Sequence, residues 1–159
     1  MGSRWAGSAA GVWLAGFILA PGTVAAQSVP ELGVVAIATA SDPSLAAAGA
    51  YGGLRTSLRT RVSAAALAGV SDGEGAWRGE LLVHFLLSPN RRRGAGVYGA
   101  GGIGLVGGPV DRSYIVLTLG LEARPGAASG WFVEGGVGGG ARLAAGYRWR
   151  RFPAGWQGF

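Results

Sequence analysis

The chain has 159 residues, with 32 Gly, 14 Arg, no Lys, 8 acidic side chains, one His, no Cys and a formal charge of +6. Glycine without a G-X-Y period excludes collagen, and 49% apolar residues exclude a disordered chain. The missing Cys removes a disulfide scaffold, a thiolate metal site and a Cys nucleophile, and a single His leaves little for a metal centre, so no metal or cofactor is expected.

Met1–Ala26 reads as a secretory signal peptide. Arg4 gives the positive start, Ala9–Ala20 the apolar run, Pro21-Gly22 the break, and Val24-Ala25-Ala26 the small residues before cleavage. Residues 27–159 then form one domain outside the cytoplasm, carrying every Arg except Arg4 and all 8 acidic residues. No later stretch is long and apolar enough for a spanning helix.

The rest of the chain alternates with period two rather than 3.6. Turn signals divide it into eight strands, near 32–41, 46–56, 60–71, 77–88, 94–107, 111–123, 130–140 and 142–151. The joints are Ser41–Ser44, the stretch around Ser57, Ser71–Gly75, Pro89–Arg93, Gly107–Pro109, Arg124–Gly126 and Gly138–Gly140. In the fourth strand Trp77, Leu81, Val83, Phe85 and Leu87 share a face, opposite Arg78, Glu80, His84 and Ser88. In the sixth Ile115, Leu117, Leu119 and Leu121 oppose Tyr114, Thr118, Gly120 and Glu122, with Val116 breaking the polar side. In the seventh Trp131, Val133 and Val137 oppose Phe132, Glu134 and Gly136. In the eighth Leu143, Ala145, Tyr147 and Trp149 oppose Arg142, Ala144, Gly146, Arg148 and Arg150.

Two architectures accommodate this pattern. A soluble sandwich or barrel turns the apolar face inward; a membrane barrel turns it outward. Charged residues make up 14% of the chain, low for a soluble surface, where about a quarter is usual. Trp77, Trp131, Tyr147 and Trp149 sit near strand ends, as interfacial girdles do. The polar faces carry both signs, Arg61, Arg78, Arg142 and Arg148 with Glu80, Glu122 and Glu134, among many Gly and Ala. Such a set suits a narrow lumen in which charges pair, because an unpaired buried charge is costly. The reading is therefore all-β: an eight-stranded antiparallel up-and-down transmembrane barrel, with those seven residues as its lumen charge network.

The last strand strengthens it. Arg142, Ala144, Tyr147 and Trp149, together with the terminal Phe159, resemble the assembly signal of small eight-stranded bacterial outer-membrane barrel proteins. Pro153 and Gly155 put Phe159 out of register with the strand before it. The resemblance implies a location in the outer membrane of a diderm bacterium. It implies outer-membrane lipids, lipopolysaccharide and the barrel-assembly machinery as partners.

Chemistry is sparse. Some barrels of this kind modify lipid A with a Ser and a His, which singles out His84 and Ser88. Four residues along a strand separate them by ~13 Å, too far for a direct relay. The Gly99–Gly104 and Gly135–Gly140 runs lack the Lys-Ser/Thr ending of a phosphate loop. Arg91-Arg92-Arg93 reads as a solvated turn, and no nucleic-acid partner is expected. If the barrel starts in the periplasm, this turn faces the periplasm and Asp42, Asp72, Glu74 and Asp111 lie on the outer side, in links of four to six residues. The expectation is a monomeric, non-enzymatic barrel with a plugged lumen, serving structure, adhesion or envelope integrity. A lipid A-modifying enzyme and a soluble carrier of an apolar ligand are the rivals.

Overall fold

The computed structural model describes residues 28–154 and Trp156. The expected leader and Phe159 lie outside these residues. Eight strands follow one another: β1 Val29–Ala40, β2 Leu45–Arg55, β3 Thr60–Ser71, β4 Glu74–Leu86, β5 Ala95–Gly107, β6 Arg112–Ala123, β7 Ser129–Val137 and β8 Ala141–Arg150. Each pairs antiparallel with its neighbours, and β1 pairs with β8, so the sheet closes into an up-and-down barrel. The seams are long, from Val29↔Arg55 to Thr39↔Leu45 between β1 and β2, whereas β6 and β7 pair only from Leu117↔Val137 to Glu122↔Phe132. Strands of 9–13 residues are the length that a tilted strand needs to cross a bilayer.

Local chemistry sets the bounds. β1 starts at Val29, three residues before the expected limit; Pro30 is tolerated there because it opens a strand, and its carbonyl accepts from the Arg151 amide at 3.0 Å. β4 ends at Leu86, because Pro89 has no amide to continue the ladder, which leaves Ser88 in the following turn. β7 ends at Val137 rather than residue 140, since Gly139 and Gly140 take positive φ and form the turn. Asp72 and Gly73, at φ 49° and 88°, make the tight two-residue hairpin between β3 and β4.

The barrel thus has two ends. At the end carrying Val29 and Arg150, called the terminal end here, the links are 56–59, 87–94 and 124–128; at the far end they are 41–44, 72–73, 108–111 and 138–140. Far-end links are two to four residues long, two of them at the lower bound of the four to six expected and two below it, and the longest link is at the terminal end.

The alternation resolves inside out. Leu32 and Leu143 are 69% exposed, Leu119 72% and Ile115 74%, while Arg61 and Arg148 are wholly buried. The barrel exterior is the apolar surface and the interior holds the charges. The lumen is not purely polar, however. Val35, Ile37, Leu45, Leu67 and Phe132 form an apolar cluster inside it, and Val116 is fully buried there too. On β1–β3 many outward residues are small, including Ala36, Ala38, Ala46, Ala48, Ala66 and Ala68, beside the larger Leu32, Val34 and Val70.

Candidate functional site

Among the described residues, ten charged side chains point into the lumen: Glu31, Arg55, Arg61, Arg78, Glu80, Glu122, Glu134, Arg142, Arg148 and Arg150. They sort into two groups.

The first lies in the far half. Arg142 donates Nε and Nη2 to the two oxygens of Glu80 at 3.1 and 2.8 Å, and Nη1 to Glu134 Oε2 at 2.9 Å. Arg78 donates Nε to Glu80 Oε1 at 2.8 Å, Nη1 to the Thr39 hydroxyl at 3.3 Å and Nη2 to the Gly138 carbonyl at 3.0 Å. The Tyr98 hydroxyl donates to Glu134 Oε1 at 2.8 Å. Two cations meet two anions, and every charged oxygen and guanidinium nitrogen has a partner. Strands β4, β7 and β8 supply these charges by pointing alternate residues inward.

The second group lies toward the terminal end. Glu122 Oε2 accepts from Arg148 at 2.7 Å, Arg61 at 2.9 Å and Arg150 at 3.1 Å. Glu31 faces Arg55 and Arg61 at 3.4 Å and Arg150 at 3.5 Å. Here four guanidiniums share two carboxylates, a surplus of two positive charges. Five buried atoms of this group, the Nε of Arg55, Arg61, Arg148 and Arg150 and Glu122 Oε1, have no hydrogen-bond partner among the described residues. The sixth such atom is the Thr118 hydroxyl.

Arg148 joins the groups. Its guanidinium lies 3.9 Å from the Phe132 ring centroid and 4.0 Å from Glu134, and it also faces the rings of Tyr51 and Tyr98. Aromatic faces take up part of a surplus cation through their quadrupoles. Gly120 makes the space: a Cβ there would overlap the Tyr98 ring. Two small cavities open inside the lumen, about 20 Å³ beside Thr39, Arg78 and Tyr114 and about 10 Å³ beside Tyr51, His84 and Glu134. Each is of the order of one water.

Two lumen arginines also hold the terminal-end turns. Arg55 donates to the Pro89 carbonyl at 3.4 Å and the Pro125 carbonyl at 3.1 Å, and Arg150 donates to the Ala127 carbonyl at 3.2 Å. The two turns are joined to each other, Arg124 N to Gly94 O at 2.8 Å and Gly126 N to Arg91 O at 3.0 Å.

His84 is buried in the lumen, where its Nε2 lies 2.7 Å from the Ser63 hydroxyl and its Nδ1 3.2 Å from Arg61 Nη2. A guanidinium can only donate, so Nδ1 must accept; a neutral ring then carries its proton on Nε2 and donates it to Ser63. That direction is opposite to what a general base needs, since the base must take the proton of the nucleophile. Ser88, half-buried in the turn after β4, is not a partner of His84 in this arrangement.

The seven network residues expected from sequence all face the lumen, divided between the two groups. Glu31, Arg55, Tyr98 and Ser63 were missed, and Arg150, though placed on the polar face, was left out of the network. Arg150 keeps the period-two phase of Arg142 and Arg148, and Arg55 the phase of Tyr51, so alternation carried that signal; Glu31 fell outside a first strand begun at residue 32. Arg142, Ala144, Tyr147 and Trp149 occupy β8, with Arg142 and Ala144 inward and Trp149 outward. Among the described residues no group of three His, Cys, Asp or Glu could hold a metal ion.

With the closed barrel and its inverted faces in place, the chain can be set beside known proteins. No protein-family model and no curated protein sequence matches the chain. The crystal structure of the N-terminal β-barrel domain of Pseudomonas aeruginosa OprF does match in shape, with a TM-score of 0.55 at 12% identity, over 76% of this chain and 97% of that domain. The two share a fold. The resemblance to small eight-stranded outer-membrane barrels therefore extends from the motif in β8 to the whole β-barrel.

Proposed function

We propose that this chain is a small outer-membrane barrel of a diderm bacterium, exported by the signal peptide Met1–Ala26, with a structural or envelope-integrity role and a lumen closed by its own side chains. The observation that carries the reading is the inverted distribution: Leu32, Leu119, Leu143 and Ile115 69–74% exposed on the exterior, ten charges inside. In water such a surface would drive association, because contiguous apolar patches of this extent are rare on soluble monomers. In lipid it is the required surface, and closure removes the open edge that hydrocarbon forbids. The shared fold with the barrel domain of OprF, an outer-membrane protein, supports the same location. Outer-membrane lipids and lipopolysaccharide surround the belt, the assembly machinery reads the aromatic-rich last strand, and the barrel is a monomer that contributes to adhesion or envelope integrity without catalysis. The proton on His84 Nε2 speaks against a lipid A-modifying role.

Fractionation tests the location. The chain should sediment with outer membrane through a carbonate wash and migrate faster on gels when unheated than when boiled. Recovery in the soluble periplasm, with no shift on boiling, would contradict the proposal and favour a soluble carrier.

A further inference from the structure

Charges outside the lumen divide by end. Arg59, Arg91, Arg92, Arg93, Arg124 and Arg151 are exposed at the terminal end. Asp42, Asp72, Glu74 and Asp111, with Arg112, are exposed at the far end. Because the remaining acids, Glu31, Glu80, Glu122 and Glu134, are buried in the lumen, no exposed carboxylate side chain offsets the six terminal-end arginines. Arg91–Arg93 and Arg124 sit on ordered backbone: the 87–94 and 124–128 turns are bonded to each other and pinned from below by Arg55.

The collar also has a depth. Trp131 and Trp149 are exposed on the belt at this end, about half of each side chain being accessible. Tryptophans of this kind mark the membrane–water interface. Arg151 lies two positions beyond Trp149, about 7 Å further along the strand direction. Guanidiniums just outside an interfacial tryptophan belt stand at the level of lipid phosphates, which they can bind bidentately.

We infer that the arginine collar, Arg59, Arg91–Arg93, Arg124 and Arg151, binds the headgroups of anionic phospholipids in the leaflet that meets the terminal end. The inference rests on the membrane reading above and adds a lipid preference and a polarity to it. The far end, with its acidic excess, has no such preference.

The full chain, refolded and inserted into vesicles, would be probed with dibrominated lipids that quench the belt tryptophans. Brominated phosphatidylglycerol should out-compete brominated phosphatidylcholine on the order of tenfold at low salt, as attraction of several arginines to an anionic leaflet implies. In 0.5 M NaCl the ratio should fall toward one, since surface charges are then screened. The combined variant Arg92→Gln, Arg93→Gln, Arg124→Gln should lose most of the preference, and Asp42→Asn with Glu74→Gln should leave it unchanged. Insertion with no anionic preference, or a preference that survives the arginine variant, would overturn the collar while leaving the barrel in the membrane. Binding of a single-stranded oligonucleotide without a lipid preference would also overturn it. Failure to insert at all would overturn the membrane reading and the collar together.

Discussion

The two halves of the lumen are built from the same residue types in different proportions. In the far group two arginines and two glutamates cancel, and each guanidinium nitrogen and carboxylate oxygen finds a partner. In the terminal group four arginines share two glutamates and five polar atoms go unmatched. Removing one member of a buried ion pair is costly because it strands the other in low dielectric. The difference therefore teaches where each sign is indispensable: either sign in the balanced group, but only the anions in the cation-rich one.

Urea unfolding of the refolded barrel in lipid vesicles would break or sharpen this contrast. The largest effect should come from Glu122→Gln, which takes the shared negative charge from three arginines and leaves four cations against Glu31; a loss of about 3–5 kcal/mol is expected. Arg142→Met should cost about 3 kcal/mol, because Glu80 and Glu134 lose their common partner. Ser63→Ala should cost about 1 kcal/mol, the value of the hydrogen bond it receives from His84. Arg150→Met should be the mildest, within about 1 kcal/mol of wild type, since it relieves a surplus charge while Arg61 and Arg148 still hold Glu122. If Arg150→Met proves as damaging as Arg142→Met, the two groups do not differ as described.

Legibility varied with strand. On β4, β6, β7 and β8 large apolar residues alternate with Arg, Glu or Gly, so both the strands and their lumen faces could be read from sequence. On β1–β3 the outward residues are mostly Ala and the inward ones include Val35, Ile37, Leu45 and Leu67. Alternation of small with large apolar residues has no polar side, which is why the apolar layer inside the barrel went unforeseen. The division of the charges into a balanced and an unbalanced group was hidden too, because it depends on barrel closure. Arg55 meets Pro125 across 70 positions and Arg142 meets Glu80 across 62.

The orientation of the faces is the claim on which the rest stands, and β6 tests it most directly. The chain has no Cys, so single-Cys substitutions at residues 115–119 and 121 can each carry one nitroxide label. In vesicles, labels at Ile115, Leu117, Leu119 and Leu121 should collide with oxygen dissolved in the bilayer, whereas labels at Val116 and Thr118 should be shielded from it. A period-two profile of oxygen accessibility with its maxima on the leucines is the expected result. The same profile with its maxima shifted by one residue, or leucine positions reached instead by a water-soluble nickel chelate, would contradict it.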